Sequence, residues 1–159
     1  METVLNFRIA TKDDLLAIVQ MLLDDTLGAT REKTDTKISA DELLESYLLA
    51  FQKISADPNQ ELTIVEMNGE KVATFQLTFI QYLTYQGGLR GQIEAVRTHS
   101  KYRGTGIGKK VFDYAISRAK EKGCHLIQLT TDKRRPDAIR FYESLGFVAS
   151  HEGMKLILA

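Results

Sequence analysis

The chain has 159 residues, 43% of them hydrophobic, and its 21 basic and 21 acidic residues cancel. This length suffices for one core, so we expect a single domain spanning residues 1–159 without a stabilising metal, and the lone cysteine excludes an intrachain disulfide. Neutrality argues against a general nucleic-acid surface or an anionic-membrane binder. With no leader-like N-terminus and no apolar run of roughly 18 residues, the expectation is a soluble cytoplasmic protein that does not bind membranes.

The N-terminal part predicts a strand and a helix. Residues 4–9 alternate apolar and polar side chains, as a strand does. Thr11 and Asp14 have the spacing of a capping box, and a helical apolar stripe follows them. This helix is predicted to stop before Gly28.

A second helix is predicted after a charged connection. Residues 24–37 show no periodicity, which indicates an irregular segment. Ser39 and Glu42 form a second capping box, and turn residues at Asp57 end the helix that it opens.

The middle of the chain predicts a β-hairpin. Apolar residues on both sides flank Asn68-Gly69, a pair that accepts the positive φ angles of a type I′ turn. A looser segment over residues 80–90 follows, with Tyr82 and Tyr85 as aromatic residues that could wall a pocket.

A strand, a glycine turn and a helix come next. Strand-like residues lead from Gln92 into Gly104, Gly106 and Gly108, and the apolar residues beyond Ile107 fall at helical spacing. This helix is predicted to end at Gly123.

The C-terminal part predicts a strand, a helix and a final pair of strands. Residues 125–130 alternate as a strand, and Pro136 suits the first turn of a helix that ends at Gly146. Residues 147–151 and 154–158 are predicted as the final strands. The element order indicates an α/β (mixed α+β) domain in which helices pack on a mixed sheet.

The glycine turn has the features of an anion site. A strand that turns into a helix leaves N–H groups without partners at the positive end of the helix dipole. Residues 95–112 contain no Asp or Glu, but they do contain basic residues: Arg97, Lys101, Arg103, Lys109 and Lys110. This local excess of positive charge predicts a bound phosphate.

Two common nucleotide motifs do not fit. A Walker A loop needs glycine where Arg103 stands, and Ser or Thr where Lys110 stands. A dinucleotide fingerprint needs G-x-G-x-x-G, but Gly104, Gly106 and Gly108 give G-x-G-x-G.

Two motifs together resemble the GNAT superfamily of acyl-CoA-dependent N-acetyltransferases. The run from Arg103 to Gly108, RGTGIG, matches Arg/Gln-x-x-Gly-x-Gly/Ala. The run from Phe141 to Phe147, FYESLGF, matches F-Y-x-x-x-G-F. The resemblance covers about the last 65 residues, and it implies a mixed, mostly antiparallel sheet with helices on both faces.

The resemblance implies that the bound phosphates are those of coenzyme A, with acetyl-CoA as co-substrate. Strand residues would pair with the pantetheine arm: Ala95, Val96, Arg97 and Thr98. The turn would hold the pyrophosphate through backbone N–H groups: Arg103, Gly104, Thr105, Gly106, Ile107 and Gly108. Lys109 and Lys133 are basic candidates for the remaining phosphate, with a solvated surface as the alternative.

The resemblance also implies two catalytic residues. Tyr142 stands where many family members place the proton donor to the leaving thiolate, and a core aromatic is the alternative. Glu94 stands where a carboxylate base is common, and it faces either the cleft or solvent. His99 is assigned to the loop. Arg135 stands where the family often carries an Asn that bonds the pantetheine, so that contact is in doubt.

The expected reaction is direct acetyl transfer to a primary amine, a small molecule being favoured. Two alternatives stay open: a protein lysine or N-terminal acetyltransferase, and an acyl-CoA-binding or regulatory module with little turnover. Asp24 and Asp25 are candidates to attract an ammonium group. Cys124 is interpreted as a packing or surface thiol, no metal site is expected, and a homodimer is compatible with the resemblance.

Overall fold

The computed structural model describes residues 4–24, 27 and 44–158 of the protein. In this part of the chain the elements, in order, are β1 (Asn6–Ile9), α1 (Leu15–Leu23), α2 (Glu45–Ala56), β2 (Gln60–Met67), β3 (Glu70–Gln81), β4 (Leu89–Thr98), α3 (Ile107–Glu121), β5 (Leu126–Gln128) and α4 (Pro136–Ser144). No helix among these residues is long and apolar enough to cross a membrane.

The strands form one five-stranded sheet in the order β1-β2-β3-β4-β5. Each neighbouring pair is antiparallel except β4 and β5, which are parallel. The parallel pair follows from the crossover through α3, since parallel neighbours need a long connection. The mixed, mostly antiparallel sheet confirms the predicted fold class.

Helices cover both faces of the sheet, and two hydrophobic cores result. Phe75 and Ile93 pack against Phe112 of α3 in the larger core, where all three are at most 2% exposed. On the opposite face Ile64 packs against Ile18 of α1, and α2 joins this side of the core. Burying one such side chain contributes about 1.5–3 kcal/mol.

The first helix is capped as predicted, although a 3-10 turn (Lys12–Asp14) precedes α1. The backbone N–H of Thr11 donates to the Asp14 carboxylate at 2.8 Å. The second capping box, at Ser39 and Glu42, and residues 28–37 of the irregular connection lie outside the described residues.

The buried carboxylate of Asp14 ties β1, α1 and β3 together. Asp14 is 1% exposed and accepts hydrogen bonds from Arg8 at 2.7 and 3.0 Å, and it pairs with Lys71 at 2.9 Å. The Arg8 guanidinium holds the pKa of this carboxyl well below its usual range, although burial acts in the opposite direction.

Replacing Asp14 with asparagine is expected to lower the free energy of unfolding by about 2 kcal/mol at pH 7, because two cations lose their partner. Because the pKa of Asp14 is lower in the folded protein than in the unfolded chain, the ionised carboxylate stabilises the fold above the ordinary aspartate pKa of about 4. This stabilisation is lost as the pH falls below that value. Urea unfolding should therefore show the two proteins converging in acid. Asp13→Asn, which changes an exposed neighbour, is the control; a difference that does not vary with pH would contradict the account.

The predicted hairpin is confirmed. Asn68 has φ +52° and Gly69 φ +81°, the positive angles that a type I′ turn requires, and β2 and β3 pair on either side of them. The looser segment after β3 is also present, as a turn (Thr84–Gly87) between β3 and β4 whose central residues have left-handed backbone angles.

The C-terminal strands are the main error of the sequence-based prediction. Residues 147–151 and 154–158 form no strand, and side chains such as Val148 and Met154 are 81% and 95% exposed. The strand predicted over residues 125–130 is also shorter, since β5 contains only Leu126–Gln128. Alternation makes a segment suitable for a strand, but a strand forms only where a neighbouring edge accepts its hydrogen bonds.

Candidate active site

The sheet opens between β4 and β5. Their pairing runs from Arg90 opposite Leu126 to Gln92 opposite Gln128, and then β5 ends while β4 continues to Thr98. Beyond Gln92, β4 therefore has only β3 as a strand neighbour within the described part of the chain. Along its other edge no strand of the described residues pairs with it, so an extended ligand can lie there as an added strand.

A β-bulge lies on the same stretch of β4. Gln76 pairs with Glu94, but Thr74 pairs with Arg97, so β4 has one residue more than β3 in this interval. Ala95 has φ +51°, an uncommon value for a residue with a side chain. Bulges redirect side chains and occur often beside active sites. The four residues predicted to contact pantetheine, at positions 95–98, coincide with this bulged, one-sided segment.

The glycine turn presents unpartnered N–H groups. Among the described residues, the backbone N–H groups from Gly104 to Lys109 have no backbone acceptor, and Lys110 is the first that does, bonding Gly106 O at 3.3 Å. The Thr105 hydroxyl donates to the carbonyl of Tyr102 at 2.6 Å and so fixes the turn. Because α3 begins at Ile107, these donors lie at its positive end, where an oxyanion binds well.

The turn requires glycine at Gly106, which precedes α3 with φ +84°. Gly106→Ala is expected to lower the free energy of unfolding by about 1–2 kcal/mol, since a Cβ is strained in this region. Gly108→Ala is the matched control. Its φ is not positive and a Cβ would meet Phe141 Cζ at an ordinary 3.6 Å. Urea unfolding of both variants tests this, and equal stability of the two would contradict it.

Carboxylates pair with several of the basic residues that were considered as phosphate ligands. The ion pairs are Lys101–Glu70 at 3.1 Å, Arg103–Asp24 at 3.3 Å, Lys109–Asp113 at 2.8 Å and Lys133–Glu152 at 3.1 Å. The positive bias in the sequence is therefore weaker in space, and the backbone donors are the stronger anion-binding feature. Asp24 is held by Arg103 and by the N–H of Ser100, while Asp25 lies outside the described residues.

Tyr142 lies in an aromatic cluster at the α3 face. Its ring centroid is 5.5 Å from that of Phe112, 5.7 Å from Phe141 and 6.2 Å from Phe147. Burial raises the pKa of the Tyr142 phenol, while the positive charges of Arg135 and Arg97 oppose this rise. A phenol in this setting keeps its proton at neutral pH. Arg135 stands where the sequence resemblance leads to the expectation of an Asn. Its positive charge acts on Tyr142 by lowering the pKa of the phenol.

Glu94 lies on the opposite face of β4 from Ile93, which is buried in the α3 core. It is exposed, and its carboxylate accepts a hydrogen bond from the Gln92 amide at 2.9 Å. Gln92 accepts in turn from the Gln128 amide at 2.8 Å, which links β5 to β4. The carboxylate is therefore oriented by a chain of two glutamines.

Sequence reasoning missed this glutamine chain and also Arg90, two positions before Gln92. Arg90, Gln92 and Glu94 alternate along β4 and so share one face. The spacing was visible in the sequence. The contribution of Gln128 was not, because it depends on the parallel register of β5.

Two other candidates lie away from reactive positions. His99 belongs to the loop, as predicted, where its Nδ1 accepts the N–H of Lys101 at 3.2 Å. Burial raises the pKa of the Cys124 thiol, which disfavours the nucleophilic thiolate.

Comparison with known proteins supplies independent information. The family model described as "Acetyltransferase (GNAT) family" matches residues 20–147. The aminoalkylphosphonate N-acetyltransferase of Salmonella typhimurium is 29% identical over 130 residues, which cover 77% of this chain and 84% of that protein.

Two solved structures are also similar. One, described as a transcriptional regulator from Bacillus halodurans C-125, is 52% identical with a TM-score of 0.89, and the match covers 98% of this chain and 100% of that one. A predicted acetyltransferase from Clostridium acetobutylicum, solved with acetyl-CoA, is 26% identical with a TM-score of 0.70, and the match covers 98% and 97% of the two chains.

Proposed function

Because the chain belongs to the acetyltransferase (GNAT) family and is an acyltransferase, we propose that it transfers an acetyl group from acetyl-CoA to a primary amine of a small molecule, directly and in a ternary complex. The observation that carries this proposal is the continuity of the open β4 edge with the unpartnered N–H groups at the start of α3. An extended arm that ends in a pyrophosphate needs these two features in this order.

The residues present fit coenzyme A. Among the described residues, no strand lies along the outer edge of the bulged segment at positions 95–98, so an amide-containing arm can lie along it, although Arg97 donates to the carbonyl of Val96 at 2.9 Å and Arg103 to that of Thr98 at 3.2 Å. The N–H groups from Gly104 to Gly108 offer donors to phosphate oxygens. We do not assign Lys109 or Lys133 a contact with the remaining phosphate, because each already pairs with a carboxylate. Acetyl-CoA supplies an activated acyl group as a thioester.

We assign the proton transfers to residues on either side of β4. Glu94 accepts one proton from the bound ammonium, directly or through water, and the neutral amine that results attacks the thioester carbonyl carbon to form the C–N bond. The nitrogen loses its second proton through water, which restores the phenol of Tyr142 after the step that follows. As the C–S bond breaks, Tyr142 donates its phenolic proton to the departing sulfur. The raised pKa of Tyr142 fits a group that must hold its proton until that moment.

The glutamine chain supports the assignment of Glu94. Gln92 holds one carboxylate oxygen and leaves the other available for the amine, and Gln128 fixes the Gln92 amide. We therefore propose Gln92 and Gln128 as positioning residues that restrict the rotamers of Glu94.

The acceptor is proposed to be a small molecule. The relative from Salmonella typhimurium is named for aminoalkylphosphonates, which are small amines. Protein lysines and N-termini are the competing acceptors within the same enzyme class.

A regulatory module is the second candidate function, favoured by one observation. The 52% identical structure from Bacillus halodurans is described as a transcriptional regulator. Such a module could keep the fold and bind acyl-CoA without turnover. The zero formal net charge of the chain gives no support to a general DNA-binding surface.

An amine panel separates these candidates. Thiol release from acetyl-CoA would be followed with small amines, amino acids, lysine peptides and peptides with free N-termini. We expect amine-dependent thiol release with at least one small amine, and a preference for peptides would move the acceptor to the protein class. Tight acetyl-CoA binding with no release on any amine would support the regulatory module and refute the proposed enzyme.

A further inference from the structure

Arg90 lies near the start of β4, on the face that carries Gln92 and Glu94. It pairs in register with Ile80 of β3 and Leu126 of β5, so the sheet holds its backbone on both sides. Its side chain is half-buried. A charged residue in this position needs a compensating partner.

The partners of Arg90 are aromatic. Its guanidinium carbon lies 4.4 Å from the ring centroid of Tyr82 and 5.5 Å from that of Tyr85. Among the described residues, no carboxylate pairs with Arg90, and its buried Nε has no hydrogen-bond acceptor. Four other arginines differ, since carboxylates lie 2.6–3.3 Å from each of Arg8, Arg103, Arg118 and Arg134. Arg97 also has a buried Nε without an acceptor, but its guanidinium donates to the carbonyl of Val96 at 2.9 Å.

The local backbone is shaped to hold the second ring. Tyr85 and Gln86 have φ +52° and +58°, angles that cost energy in residues with side chains. The Tyr85 ring lies 5.2 Å from the ring of His125, whose Nδ1 lies 2.9 Å from the carbonyl oxygen of Leu89. A Cβ at Gly88 would come within 2.6 Å of the same Nδ1, so the chain needs glycine there.

Stacking leaves the arginine with unused binding capacity. An aromatic ring covers the flat face of a guanidinium, whereas its N–H donors point outward in the plane. An oxyanion can accept two of these in-plane donors at once. Arg90 thus has the form of an oxyanion receptor for which the described part of the chain supplies no oxyanion.

We infer that Arg90, held by Tyr82 and Tyr85, binds an oxyanionic group of the acceptor, so that the preferred substrate is a small amine carrying a phosphonate, phosphate or carboxylate. This inference rests on the proposed function, in which Glu94 receives the amine. Glu94 lies four positions beyond Arg90, about 13 Å along the strand. The two side chains lie on one face of β4 with the Gln92 amide between them, so a small molecule lying along this face can contact both.

The test compares an aminoalkylphosphonate with the alkylamine of equal chain length that lacks the phosphonate. Wild-type protein should have the higher kcat/KM for the phosphonate amine. Arg90→Gln should reduce the ratio of the two kcat/KM values roughly 10- to 100-fold, mainly through KM, because a charge-assisted hydrogen-bond pair is lost. Arg90→Lys should fall between, since a lysine cannot bind in the bidentate way. Arg140→Gln, an exposed arginine on α4, is the control and should keep the wild-type ratio.

Calorimetric binding separates this inference from the proposed function. The aminoalkylphosphonate would be titrated into wild type and the variants in the presence of coenzyme A. Arg90-dependent binding without turnover would support the oxyanion site and refute the enzyme assignment. An unchanged kcat/KM ratio, or equal binding by wild type and Arg90→Gln, would overturn the inference. If Arg90→Gln does not fold, competition by an alkylphosphonate without an amine decides: wild type must be inhibited competitively against the phosphonate amine, and no inhibition refutes the site.

Discussion

Tyr142→Phe is expected to reduce kcat roughly 100-fold, a loss typical of a missing general acid. The affinity for coenzyme A should stay unchanged. The substitution keeps the ring that packs against Phe112, Phe141 and Phe147 and removes only the hydroxyl. Stability should therefore stay close to that of the wild type. Steady-state kinetics on the best amine, together with calorimetric titration of coenzyme A, measures both quantities.

Tyr114→Phe is the matched control for Tyr142. Tyr114 is also a tyrosine with a pKa raised by burial, but it lies on α3 and stacks on Phe7 at 4.3 Å, at the β1 side of the sheet. Loss of its hydroxyl should not lower kcat. Equal rates for Tyr142→Phe and wild type would remove Tyr142 from the mechanism, and equal losses in the two variants would indicate a packing effect.

Glu94→Gln is expected to reduce kcat/KM roughly 100-fold at neutral pH, because the amide cannot accept the ammonium proton. The deficit should shrink as the pH rises toward the pKa of the acceptor amine, since the free amine no longer needs a base. A pH–rate profile of wild type and variant on one amine tests this directly.

The control for Glu94 is Glu143→Gln, an exposed carboxylate next to Tyr142 on α4. It changes the net charge equally and should leave the profile as in wild type. A Glu94→Gln deficit that is constant across the whole pH range would contradict a role in deprotonating the amine. It would instead indicate a role in substrate binding.

The sequence predicted most of the fold because its signals were local. The Asn68-Gly69 turn and the glycines before α3 require specific φ angles, so a short stretch of sequence determines each of them. The helices depended on periodic apolar residues, and α1, α3 and α4 lie where the pattern placed them, whereas α2 begins only at Glu45, after an extended Leu44. The prediction for residues 147–158 was wrong because alternation alone does not specify a pairing partner, and these residues pair with no strand among the described residues.

The candidate site was predicted only where it consists of contiguous sequence. Gly104 to Gly108 are neighbours in the chain, so their motif predicted a turn that the structure contains. The pairing of Lys101 with Glu70 and the approach of Gln128 to Gln92 join residues 31 and 36 positions apart. Contacts of this kind depend on sheet register and cannot be inferred from spacing along one strand. The catalytic roles of Glu94 and Tyr142 remain predictions, as does a homodimer.

The fate of a labelled acetyl group is the most direct test of the central proposal. Acetyl-CoA labelled in the acetyl group would be incubated with the protein and the best amine, and the label would be followed by mass spectrometry in small-molecule and protein fractions. Direct transfer predicts that the label appears in the amine, in proportion to the thiol released, with none bound covalently to the protein. Label on Cys124 or another side chain during turnover, or release of labelled acetate at the same rate with and without amine, would contradict it.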